Sequence, residues 1–217
     1  MARIGTDATV DEGAQVQDDA MVGGNADIRH NARVGGCAVV EGNALVQDDA
    51  VIEGNAWVGG RSWVEDRSYV GDDAVLSGNA HLMDDANVRE HAQIKDYATI
   101  CYNGRVRGNA IVKDDAYVGR DAFVGGYAVV GGFASLRDGA FVTKSSHFLY
   151  FDLGDGQCVT IYRTIKGARV QAGCQNFSFN QVTSEFLRSM ADLHAWYLPS
   201  YIYSLLEAVS DVVATWH

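Results

Sequence analysis

Read in sixes from Ala2, the chain repeats 24 times without an insertion or deletion, from ARIGTD at its start to AFVTKS at 140–145. The first position of each hexapeptide is Ala except at Ser62, Ser68 and Gly104, and the third is always Val, Ile or Leu. Positions one and three of a short strand point to one side, and positions two and four to the other. A small and an aliphatic residue therefore face inward in every repeat, while the residues at two and four vary. Positions five and six are rich in Gly-Asn and Asp-Asp pairs, such as Gly42-Asn43 and Asp48-Asp49, which tolerate the backbone of a tight corner. A strand and a corner every six residues make the chain coil, stacking parallel strands about 4.8 Å apart. The single proline, Pro199, lies outside the repeats, as laddered strands require.

This pattern resembles the hexapeptide-repeat left-handed parallel β-helix family, known from acyltransferases and gamma-class carbonic anhydrases. The resemblance covers residues 2–145 and implies three hexapeptides per triangular coil, hence about eight coils. The left hand of the coil is an implication of the resemblance, since the usual crossover rule points the other way. The expected fold is mainly β: a left-handed parallel β-helix over 2–145, then a small α+β unit over 146–217 that caps the coil or mediates oligomerisation.

With three hexapeptides per coil, residues 18 apart stack on one face. Position two of the first face reads Arg3, Met21, Val39, Trp57, Val75, Gln93, Ile111 and Val129. An apolar stripe pointing away from the core marks an interface, so Met21, Val39, Trp57, Val75, Ile111 and Val129 are the expected oligomer contacts. Gly5, Gly23, Gly59 and Gly131 at position four of that face would let a partner come close. The alternative is that such residues merely suit exposed strands, or that the face receives the chain's own C-terminal segment. The family resemblance implies a homotrimer with parallel axes. Trp63, Tyr69, Tyr117, Phe123, Tyr162 and Arg163 are expected to form a ligand or partner surface.

After Ser145 the periodicity ends and aromatic residues become dense. Phe148–Leu153, Cys158–Thr164 and Ala168–Cys174 read as strands. Thr183-Ser184 reads as a helix start, with Phe186, Leu187, Met190 and Leu193 at helical spacing. Beyond Pro199 a last helix carries Ile202, Leu205, Leu206, Val209 and Val213. The string Thr160-Ile161-Tyr162-Arg163-Thr164, with Gly167 and Gly173-Cys174, is similar to a tail of phage- and prophage-encoded hexapeptide-repeat proteins, over roughly 147–190. That resemblance implies a mobile-element protein acting in a bacterial cytoplasm.

Acyl transfer from acetyl-CoA is the enzymatic function that the fold resemblance implies, with a histidine as general base near a subunit boundary. His81, outward on the second face and one coil from Trp63, is the candidate base; His30 and His91 fall at corners. The protruding loop that shapes the acceptor site in such enzymes has no counterpart in the uninterrupted repeats. A zinc site needs converging histidines, and repeat arithmetic keeps these three apart. Asp48, Asp66 and Asp84 stack at one corner and suit either a calcium ion or plain hydration, so no metal is expected. No P-loop, dinucleotide fingerprint, HExxH or nucleophile elbow is present.

The 217 residues carry 28 acidic and 17 basic side chains, a formal net charge of -11. That balance argues against general nucleic-acid binding and against adhesion to anionic membranes. No apolar run approaches the ~20 residues of a membrane span, and the first residues lack the apolar segment of a secretory signal. Four cysteines without CxxC spacing read as reduced thiols of a cytoplasmic protein. These features point to a non-enzymatic binding or assembly protein of phage type, oligomeric and without a cofactor. It would engage a host protein or a small ligand, with interference with a host defence factor as one concrete role. The alternative is an acyltransferase with its site between subunits.

Overall fold

The computed structural model describes residues 1–154, 157–173, 175–181 and 201–216. Within residues 1–145, each hexapeptide contributes one two-residue strand, from β1 (Arg3–Ile4), β2 (Thr9–Val10) and β3 (Gln15–Val16) to β24 (Phe141–Val142). The strands form three 8-stranded parallel sheets, each taking every third strand. Register is uniform: Arg3 pairs with Met21, Trp57 with Val75, and Phe123 with Phe141. Eight coils stacked at about 4.8 Å make a prism about 38 Å long.

The inward columns form one continuous core from Ala20 to Val142, with nearly every side chain fully buried. The exceptions to Ala at position one have local causes. The Ser62 and Ser68 hydroxyls turn back to the carbonyls of Gly59 (2.7 Å) and Glu65 (2.6 Å). A Cβ at Gly104 would come within 2.6 Å of the Val118 carbonyl oxygen.

Position five turns each corner. From Asp18 to Asp138 every residue there has a positive φ, whether glycine, as at Gly60 (+71°), or not, as at Asp66 (+58°). The N–H of position six donates to the position-five carbonyl of the next coil. That bond is 2.6–2.7 Å where the residue just before the donor is glycine, as for Asn25 to Gly42 and Asn55 to Asp72, and 2.9–3.1 Å where it is not, as for Asn31 to Asp48 and Asp115 to Gly132.

Beyond a 3-10 turn at Ser145–His147, an antiparallel sheet contains β25 (Phe148–Gly154), β26 (Gln157–Thr164), β27 (Gly167–Ala172) and β28 (Gln175–Ser178), in that order. A second 3-10 turn spans Phe179–Gln181, and a helix, α1, spans Tyr201–Ala214. The first three strands and α1 agree with the sequence pattern; β28 was hidden by polar residues. The expected helix from Thr183 and its break at Pro199 lie outside the described residues.

Alternation along β26 explains why this sheet closes the coil. Val159 and Ile161 face a small second core with Val170, Phe177, Val209 and Trp216. Tyr162 points the opposite way, is fully buried, and joins the prism core, where Phe148 and Tyr150 also pack. Side-chain hydroxyls replace the missing next coil: Ser145 accepts from the Val129 N–H (2.9 Å) and Thr160 from the Ser135 N–H (3.0 Å). The opposite end has no such cover among the described residues, and Ile4 is 53% exposed. Among those residues no helix is long and apolar enough to cross a membrane.

Candidate functional site

The outward residues are arranged by two local rules. The first concerns aromatic residues at position two. Trp57, Tyr69, Tyr117 and Phe123 are each followed two residues later by glycine, at Gly59, Gly71, Gly119 and Gly125. In all four the ring lies flat over that glycine; a Cβ at Gly125 would sit 2.6 Å from the Phe123 ring. The glycine supplies a shelf for its own neighbour, so these rings are half-buried. Trp63 has Glu65 in that place and stands 50% exposed. At Gly59 the space expected for a partner is therefore occupied by Trp57 itself.

The second rule joins a glutamate at position four to a ring donor 16 residues later, its diagonal neighbour in the next coil. Glu41 accepts from the Trp57 indole (3.1 Å), Glu53 from the Tyr69 phenol, and Glu65 from His81 Nε2 (2.7 Å). Burial first, and then the Glu53 carboxylate, push the Tyr69 phenol up to about 12. Glu65 also accepts from the Gln47 amide (2.9 Å), and Trp63 meets the His81 ring edge-on at 5.7 Å.

The second face thus places a carboxylate-oriented imidazole at its centre. With Nε2–H committed to Glu65, a neutral His81 leaves Nδ1 as the basic nitrogen, the arrangement a general base needs. The same contact is made by Trp57 and Tyr69, which carry no such chemistry, so the geometry alone does not make His81 a catalyst. One and two coils further along, the Cys101 thiol and Tyr117 phenol share a hydrogen bond, and burial pushes both pKa values up. Arg137 lies 4.4 Å above the Tyr117 ring. A protonated thiol of this kind is a poor nucleophile.

The corner aspartates have a role that neither calcium binding nor hydration anticipated. The backbone N–H at position five has no carbonyl above or below it. Asp48 accepts from the Asp66 N–H (3.3 Å), Asp66 from the Asp84 N–H (2.9 Å), and Asp84 from the Tyr102 N–H (3.0 Å). The carboxylates are thus spent on the backbone of the next coil. Among the described residues no group of three or more His, Cys, Asp or Glu side chains is placed to hold a metal ion. His30 pairs with Asp48 at 2.8 Å and His91 with Asp73 at 3.5 Å, each along its own corner.

Of the residues expected on a binding surface, Trp63 is exposed and Tyr69, Tyr117, Phe123 and Arg163 are half-buried. They do not converge: Trp63 and Tyr117 lie on the second face, Tyr69 and Phe123 on the third. Tyr162 is a correction. It is fully buried beneath the cap, where burial raises its phenol and the Asn176 amide donates to its oxygen. Arg163 extends over the Phe141 ring at 5.4 Å. The first-face residues Met21, Val39, Trp57, Val75, Ile111 and Val129 share one sheet in unbroken register, interrupted only by Gln93.

No family model, curated protein or solved structure matches this chain.

Proposed function

We propose that this protein is a non-enzymatic assembly and binding protein of the hexapeptide-repeat, bacteriophage type, self-associating through its first face in a bacterial cytoplasm. The observation that carries the reading is that face: an apolar row at position two, levelled where Trp57 folds over Gly59 and flanked at position four by Glu41, Lys95 and Lys113. It measures about 38 Å by about 13 Å, so two copies in contact bury on the order of 1,000 Å², the lower bound for a specific interface. Self-association therefore needs nearly the full length of the face. A homotrimer is the assembly implied by the family resemblance. Grooves between its subunits would hold a host protein or a small ligand.

Light scattering on the full chain tests this reading. A mass two or three times that of the 23.4 kDa chain supports it, and a monomer at tens of micromolar contradicts it.

One observation favours a second reading, an acyltransferase with its site between subunits: the Glu65–His81 pair on an otherwise open sheet. Calorimetric titration with acetyl-CoA, followed by a turnover assay, separates the two. Saturable binding with turnover that His81→Gln abolishes would establish the enzyme and displace the first reading.

A further inference from the structure

Charge is sorted by position in the C-terminal half of the prism. From Ala74 to Ser145 every acidic residue, from Asp84 to Asp138, sits at a corner position. The outward face positions there hold Arg89, Lys95, Arg105, Arg107, Lys113 and Arg137 and no acid. The densest group is on the third face, on the consecutive strands β15 (Asn87–Val88) and β18 (Arg105–Val106) and in the residues just after them. Arg105 stacks on Asn87, and Arg107 stands over Arg89 at the equivalent position, about 4.8 Å further along.

Like charges stacked in this way destabilise a sheet unless something offsets them. At Arg67–Asp85 and Arg29–Asp27 the offset is a carboxylate. Two acids on this side of the prism are committed: Glu90 accepts from the Gly108 N–H (2.8 Å) and Glu53 from the Tyr69 phenol. Among the described residues none of Arg89, Arg105 and Arg107 forms an ion pair. The Nε atoms of Arg89 and Arg107, and the side-chain Oδ1 of Asn87, are buried with no hydrogen-bond partner among those residues.

Flat rings close the strip at both ends. On one side the Arg89 guanidinium lies 4.0 Å above the Tyr69 ring. On the other, Phe123 lies over Gly125 and stacks on Phe141 at 5.1 Å and 18°. Three guanidinium forks between two aromatic slabs match a compact oxyanion, above all a phosphate group that takes parallel N–H bonds from more than one arginine. A long polyanion is disfavoured, because Asp84, Asp85 and Glu90 sit at the corners beside Arg89 and the chain carries a net charge of -11.

We propose that Arg89, Arg105 and Arg107 form a binding site for a small phosphate-bearing ligand on the third face. The site is independent of first-face association, so the failure of either claim leaves the other standing.

Isothermal titration calorimetry of the full chain with inorganic pyrophosphate, in phosphate-free buffer at low ionic strength, is the test. Saturable binding of one pyrophosphate per chain is expected. Arg107→Gln should weaken it at least tenfold, Arg107→Lys by several-fold through loss of the fork, and Arg33→Gln, on the same face outside the strip, not at all. Arg105→Gln, at an exposed position, provides a second variant should Arg107→Gln fail to fold. Titration with adenosine diphosphate in place of pyrophosphate asks whether a ligand's own ring adds affinity against Phe123 or Tyr69. If so, the ligand is a phosphate ester carrying a planar group; if not, the phosphate alone is recognised. Absence of saturable pyrophosphate binding, or equal binding by wild type, Arg107→Gln and Arg105→Gln, would overturn the proposal.

Discussion

At the corner of each hexapeptide a single residue decides both backbone strain and hydrogen bonding. From Asp18 to Asp138 position five has positive φ, which costs an ordinary side chain about 1–2 kcal/mol and a glycine almost nothing. Aspartate is tolerated there because its carboxylate repays part of that strain, accepting the N–H of the next corner that no carbonyl reaches. At Gly60 a Cβ would also sit 2.6 Å from the Gly78 carbonyl oxygen. Gly60→Ala is therefore expected to lower stability by about 1–3 kcal/mol in chemical denaturation. Asp66→Asn, which keeps an acceptor oxygen and a side chain suited to positive φ, should change it by less than about 0.5 kcal/mol. Equal losses in the two variants would contradict this account of the corner. The preference for Gly and Asp at corners was legible in the repeat. The acceptor role was not, because Asp66 and its donor at Asp84 are separated by 18 residues and meet only once the coils are stacked.

At the scale of elements, the end of the prism is a junction between two periodicities. The six-residue rhythm stops at Ser145, and alternation in β26 turns Tyr162 into the prism core and Ile161 away from it. Tyr162→Ala should cost about 3–5 kcal/mol, by analogy with other large-to-small aromatic substitutions in cores. Tyr162→Phe should cost only about 1 kcal/mol, the loss of a partner for Asn176. The junction also carries a titrating group. His147 accepts the Thr143 N–H at Nδ1 (3.3 Å), a role open only to the neutral ring. Burial first, then Arg163 and Lys144, hold its pKa below the ordinary imidazole range. The unfolded chain therefore takes up this proton before the folded one. Stability is undiminished above pH ~6.5 and falls as the pH drops below it. His147→Gln, which keeps an acceptor, should flatten that slope in denaturation curves measured between pH 5 and 7.5; an unchanged slope would assign it to other groups. Tyr162 shows where reading the sequence fails. An aromatic-basic pair such as Tyr162-Arg163 reads as a binding surface, and only the strand's parity against the coil end shows that the ring is buried. The glycine shelves, by contrast, were legible in principle: an aromatic residue, valine and glycine recur four times in one repeat phase, and Trp63, which lacks the glycine, is the ring that stands out.

Across the whole molecule, one regular coil presents three different surfaces. The first face carries an apolar row at position two, the second carries the Glu65–His81 pair, and the third gathers arginines between aromatic rings. The acidity is concentrated at corners, with 22 acidic and 13 basic side chains in residues 1–145. This arrangement places most of the charge at the edges of the prism rather than on its faces. Self-association is proposed to run through the first face rather than the second, and sedimentation equilibrium on Trp57→Glu and Trp63→Glu distinguishes the two, since both place a charge at mid-prism on adjacent faces. Wild type and Trp63→Glu should sediment as the same oligomer and Trp57→Glu as a monomer of 23.4 kDa. An oligomer that survives Trp57→Glu, or one that Trp63→Glu disrupts instead, would exclude the first face as the interface.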